Sequence, residues 1–137
     1  MVTWRGDPLV AGAASGPVVF LTEPVSFWGG VDPVRGEISD PHHPQLGVEV
    51  TGSVLVMAES RGSSSASTVL AEMIRTGRAP AAILLGRSDP IIVLGAVVAS
   101  ELYGLVMPVV SVPGLFQSRH LGGSAVVEPN GDVTVDR

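Results

Sequence analysis

Residues 57–67, MAESRGSSSAS, carry the residue types and spacing best suited to chemistry. An apolar run ends there, Arg61-Gly62 makes a turn, and serines stand where an apolar helix begins. The first N–H groups of a helix are unpaired and carry partial positive charge, so such a start favours an anion. Gly62 lets the backbone come close to a ligand, and the Arg61 guanidinium can hold a carboxylate or phosphate through two parallel bonds. A serine hydroxyl holds its proton tightly in water, but nearby positive charge lowers the cost of an alkoxide. Ser63 is therefore a candidate base for removing a proton next to a carboxylate. The competing reading is structural: serine is a preferred N-cap, and a serine run before an apolar helix is ordinary capping. Both readings stand at this point.

A second constellation is 26–32, SFWGGVD. The pair Gly29-Gly30 permits positive φ and close approach of another backbone. Asp32, just before Pro33, can bind a substrate hydroxyl or amine; alternatively it starts a turn while Phe27 and Trp28 pack in a core or an interface. His42 and His43 precede Pro44 without metal-ligand spacing to another His or Cys, so they read as solvated loop residues, with a general-base role left open. Asp89-Pro90 reads as a helix cap with proline at the first helical position. Gly122-Gly123 reads as a turn.

These residues need elements to hold them. Strand candidates are 17–21 (PVVFL), 53–57 (SVLVM), 81–85 (AAILL) and 108–112 (PVVSV). Helices are expected over 63–76, with Val69, Leu70, Met73 and Ile74 at helical spacing before Gly77, and from Asp89-Pro90 to Tyr103, stopped by Gly104. The second helix is apolar on every side over 91–99, which predicts burial in the core or against a partner. The tail, 124–128 and 133–136 around an Asn-Gly turn, predicts a hairpin. Between 22 and 47 runs a loop without regular pattern, of a length that is usually functional. Strands alternating with helices give an α/β domain with parallel strands, and the hairpin makes the sheet mixed.

Composition narrows the chemistry. The chain has 137 residues, 45% hydrophobic and 15% charged, which suits one domain over 1–137 and excludes disorder. The longest apolar run is too short to span a membrane, and no signal peptide is visible at the start, so a cytoplasmic chain is expected. With no Cys there is no disulfide, no thiolate nucleophile and no Cys-ligated cluster on this chain. Eight Arg, no Lys and a net charge of −5 exclude Schiff-base chemistry and disfavour nucleic acid as a partner. Hydroxyls, Arg, carboxylates and backbone groups remain, or a partner chain.

Three segments, SFWGGVDP (26–33), SRGSSSAS (60–67) and SDPIIVLGAVVASELYG (88–104) followed by MPVV, resemble the small component of the aconitase X family. The resemblance implies a swivelling β/β/α domain similar to the small mobile domain of aconitase. It implies a hydro-lyase completed by a large aconitase X subunit, which carries the iron–sulfur cluster, with the active site between the two chains. The absence of Cys here fits that division, and the end of the chain at Arg137 implies a separate large chain. By position, Ser63 matches the family's proton acceptor. Arg61 and Gly62 match the turn that brings substrate oxygens to the helix start, with Ser64 and Ser65 beside it, and Gly30 and Asp32 match the glycine-rich loop. The implied reaction removes water from a small carboxylate: cis-3-hydroxy-L-proline to Δ1-pyrroline-2-carboxylate, or mevalonate 5-phosphate to an anhydromevalonate phosphate. The all-Arg, Ala- and Val-rich composition and His42-His43-Pro44 favour the first. A reading of another class is a non-catalytic binding or regulatory subunit whose serines only cap a helix.

Overall fold

The computed structural model describes residues 1–119 and 122–136. Along the chain run β1 (Val2–Trp4), β2 (Asp7–Val10), β3 (Ala14–Phe20), β4 (Val31–Asp32), β5 (Glu37–Ile38), β6 (Val54–Met57), α1 (Ala66–Thr76), β7 (Ala82–Leu85), α2 (Pro90–Tyr103), β8 (Val109–Ser111), α3 (Pro113–Ser118), β9 (Ser124–Val127) and β10 (Val133–Asp136). Eight strands form one sheet in the order β1-β10-β9-β3-β6-β7-β8-β2, and β4 and β5 make a small separate hairpin.

The sheet has two characters, and β3 joins them. Its first half, Ala14 to Pro17, pairs antiparallel with β9, while Val18 to Phe20 run parallel to β6. The parallel part continues through β7 and β8. All four residues of β6 and of β7 are buried, as expected of parallel strands covered on both faces. Alternation sorts them into two cores. Leu55, Met57, Ile83, Leu85 and Val109 pack under α1 and α2. Val54, Val56, Ala82, Leu84 and Val110 pack against Ala125, Val127, Val133 and Val135 of the β9–β10 hairpin. The result is helices on sheet on sheet, the mixed α/β architecture expected from the sequence.

The strands β1 and β2 sit at opposite ends of the strand order yet are separated only by Arg5 and Gly6. A flat sheet of eight strands cannot satisfy that link, since neighbouring strands lie about 4.8 Å apart. The sheet therefore curls until its edges meet, and Gly6 N–H bonds the Gly131 carbonyl at 3.1 Å across the seam.

Five elements lay outside the sequence reading: β1, β2, α3, and β4 and β5, which form a hairpin inside the long loop. Their strands are two to four residues long, or interrupted by Pro8, so their periodicity carries little signal. The first helix starts at Ala66 rather than at residue 63. Ser63 to Ser65 instead form a tight turn, with Ala66 N–H donating to the Ser63 carbonyl and Ser67 N–H to that of Ser64.

Candidate active site

The parallel strands all point their carboxyl ends the same way, and in such sheets ligands bind outside those ends. The exit segments of β3, β6 and β7 are tied to one another there. Leu21 N–H donates to the Val56 carbonyl, and Gly86 and Arg87 N–H to the carbonyls of Met57 and Ala58. The turn after β6 carries Arg61, Gly62 and Ser63, and the segment after β3 carries Ser26 to Asp32. The fold brings the two sequence constellations together: Arg61 N–H donates to the Val25 carbonyl at 3.2 Å. Gly62 sits at φ +97°, and a Cβ there would lie 3.0 Å from the Ser26 hydroxyl. Glycine is required on both counts, positive φ and close approach.

The serine run does not cap the helix with its side chains. Ser65, at the N-cap position, has helical backbone angles and makes no side-chain cap. The Ser63 hydroxyl instead accepts from Ser65 N–H at 3.0 Å. A donor aimed at that oxygen favours its negatively charged form. The N–H groups of Gly62, Ser63 and Ser64 find no acceptor among the described residues, and the three serines are exposed. Arg61 is also exposed and forms no ion pair with a described residue. Open amides, a guanidinium and a hydroxyl, the groups that suit a carboxylate, thus lie within four consecutive residues.

A cleft of about 580 Å³ opens between the loop and α1, lined by Trp28, Val31, Asp32, Pro33, Ser39 and Val69, and not by Arg61 or the serines of the turn. Phe27 and Trp28 part company: Phe27 is wholly buried, whereas Trp28 is 60% exposed over the cleft. Asp32 does begin a turn, its Oδ1 accepting from Val34 and Arg35 N–H at 2.9 and 3.1 Å. These two bonds, first that of Arg35, hold its carboxyl below the usual range. Gly30 shapes the loop: it is buried, donates to the Ser26 carbonyl, and accepts from Ser39 and Asp40 N–H. A Cβ on Gly30 would lie 2.4 Å from the Ser26 carbonyl oxygen.

Two histidines read as solvated turn out differently. His42 is exposed, but His43 is buried, with Nε2 2.9 Å from the Glu23 carbonyl and Nδ1 accepting from Gln45 N–H. Gln45 in turn bonds Thr22 and the Phe20 carbonyl, so the pair pins the long loop to the end of β3. Both ring nitrogens are occupied, which assigns His43 to loop structure. Asp89 caps α2 as expected, yet it does more, because its second oxygen accepts from Ser60. Nothing in the local sequence signals that pairing, since 29 positions separate the two.

An iron–sulfur cluster does not fit this chain. It has no Cys, and among the described residues no three His, Asp or Glu side chains converge. No described helix is long and apolar enough to cross a membrane.

Comparison with known proteins places this geometry. The family model of the aconitase X swivel domain matches residues 3–135. The chain is 50% identical over 101 residues to a cis-3-hydroxy-L-proline dehydratase of Pseudomonas aeruginosa, which covers 74% of this chain and 17% of that protein. It is 43% identical over 88 residues to the phosphomevalonate dehydratase small subunit of Methanothermobacter thermautotrophicus, covering 64% of this chain and 67% of that one. The chain thus spans less than a fifth of the hydroxyproline dehydratase it matches. The crystal structure of Thermococcus kodakaraensis aconitase X in its holo-form superposes with a TM-score of 0.88 at 28% identity, over 100% of both chains. The sequence of residues 3–135 and the whole fold agree: this chain belongs to the aconitase X swivel-domain family.

Proposed function

We propose that this chain supplies the proton acceptor of a hydro-lyase that dehydrates cis-3-hydroxy-L-proline to Δ1-pyrroline-2-carboxylate. It does so together with a large aconitase X chain, in the cytoplasm. The observation that carries the reading is the meeting of Arg61 and Gly62 with Val25 and Ser26, where the glycine-rich loop begins, at the carboxyl ends of β3 and β6. Arg61 and the open amides of Gly62, Ser63 and Ser64 hold the substrate carboxylate, with Ser65 completing the turn. Ser63, as the alkoxide favoured by Ser65 N–H, takes the proton from the carbon that bears the carboxylate. The C–H electron pair becomes the new double bond, hydroxide leaves the neighbouring carbon, and the enamine so formed tautomerises to the imine. Gly30 keeps the loop tight against this turn.

Asp32 supports hydroxyproline as substrate. Its carboxyl is held ionised by the Arg35 and Val34 amides and lies on the cleft wall. A carboxylate there attracts the ring ammonium of an amino acid and repels a phosphate. The alternative substrate, mevalonate 5-phosphate, rests on the likeness to the archaeal small subunits. The proposal assigns the iron–sulfur cluster to the large partner, since no residues here fit one.

The test is turnover by this chain assembled with a Cys-bearing large chain of its family, offered both substrates in parallel. Dehydration of hydroxyproline and not of the phosphate is expected. Ser63→Ala is expected to assemble normally and to lose about a thousandfold or more in kcat, since a base and its charge-stabilised oxygen vanish together. Wild-type-like turnover by that variant would remove Ser63 as the base and leave the chain a binding subunit.

A further inference from the structure

We propose that Asp89 is a positioning residue for the serine turn, acting through Ser60. The proposal rests on the reading that Ser63 accepts the proton. Asp89 is 6% exposed, and its carboxylate meets donors on both sides. Oδ1 caps α2, accepting from Ile91 N–H at 2.9 Å and Ile92 N–H at 3.5 Å. Oδ2 accepts from Ser60 N–H at 2.6 Å and from the Ser60 hydroxyl.

Capping alone does not need this residue. Asn or Ser caps a helix about as well as Asp. Only a carboxylate offers acceptors in two directions at once, because an amide presents an NH2 on its second side. Nor does the sheet need Ser60 held. The exits of β6 and β7 are already bonded through Met57, Ala58, Gly86 and Arg87. What the second oxygen fixes is the chain entering the turn. Ser60 N–H is held by Asp89, and the next N–H, that of Arg61, is held by Val25. The following three amides have no acceptor among the described residues, so the placing of Gly62 and Ser63 is inherited from this pair of anchors.

Asp89→Asn separates the two duties. It keeps an oxygen for the cap and sets an NH2 against Ser60 N–H. In the assembled two-chain enzyme, kcat is expected to fall about ten- to a hundredfold, as misplacing a reacting group by a fraction of an ångström does, with KM changed less than about threefold. Amide hydrogen exchange should quicken at Arg61 and Ser65, the bonded amides of the turn, and stay unchanged in β6 and α2. Ser60→Ala, which removes one clamp bond and leaves the cap intact, should fall between wild type and Asp89→Asn in both readouts. It also serves should Asp89→Asn fail to fold. Unchanged exchange at Arg61 and Ser65 in either variant overturns the clamp, whatever Ser63→Ala shows. Quickened exchange with full kcat overturns its role in turnover. If Ser63→Ala itself keeps its turnover, the base assignment falls while the exchange result still judges the clamp.

Discussion

Asp32 sits under two backbone N–H groups, those of Val34 and Arg35, and its charge state bears on the folding of the loop. Its folded-state pKa lies below the ordinary value of 3.8, chiefly because those amides favour the carboxylate. The carboxylate therefore stabilises the loop at all pH values above the unfolded pKa, and that contribution disappears as pH falls through the folded one. Asp32→Asn keeps the turn acceptor but cannot ionise. The melting temperature of the wild type should exceed that of the variant at pH 6, and the gap should narrow as pH falls below 3.8. Parallel curves would show that the charge contributes nothing to the loop. At neutral pH the same ionised group lines the cleft.

At the scale of the element, α2 is the helix whose composition misleads. Its apolar residues run round every side, yet the buried stripe is small: Ile92, Gly95, Ala96 and Ala99. Small residues let α1 and α2 cross closely, and at Gly95 a Cβ would stand 2.9 Å from the Ser67 carbonyl and 3.1 Å from Leu70. Intrinsic propensity favours Ala over Gly in a helix by about 1 kcal/mol. Overpacking costs about 1–3 kcal/mol and wins here, because the nearest atom is backbone and cannot swing aside. Gly95→Ala should lower the urea midpoint despite its better propensity. Turnover should fall with it, since the serine turn leads directly into α1 at Ala66. A midpoint raised by the substitution would show that the helices can part without loss.

For the molecule as a whole, closure of the sheet depends on the Arg5-Gly6 link between its two edge strands. A Cβ at Gly6 would come within 2.3 Å of Val110 and 2.7 Å of the Gly131 carbonyl. Val110 belongs to the core between the two halves of the sheet. Gly6→Ala should destabilise by about 1–3 kcal/mol in chemical unfolding, as forced core shifts do. The seam lies far along the strand order from the β3–β6 pair, so turnover per folded molecule should hold. Loss of turnover without loss of stability would place the seam in the working of the site. Leu102, Leu105 and Val106 are exposed around the end of α2, and Leu94 is exposed nearer its start. The sequence expectation of burial in the core or against a partner thus holds for the core only at Ile92, Gly95, Ala96 and Ala99.

Local pattern was enough for much of this. Buried apolar runs marked β6, β7 and β8, helical spacing marked α1 and α2, and Asn130-Gly131 marked the closing hairpin, because each depends on neighbours within a few residues. The Arg61-Gly62-Ser63 turn stood out for the same reason: chemistry-bearing residues lie side by side in the chain. The short edge strands escaped notice, since three or four residues hold a strand only when a distant partner supplies the hydrogen bonds. The conformation of the serines was settled in the same way. Whether they capped a helix or presented a hydroxyl depended on one backbone turn, and that turn is held by Val25 and Asp89, residues about 36 positions before Arg61 and 29 after Ser60. His43 and Gln45 likewise took their places only when the loop met the end of β3. Contacts across such distances in the chain have no periodicity to announce them; they exist because parallel strands bring several loops to one edge of the sheet.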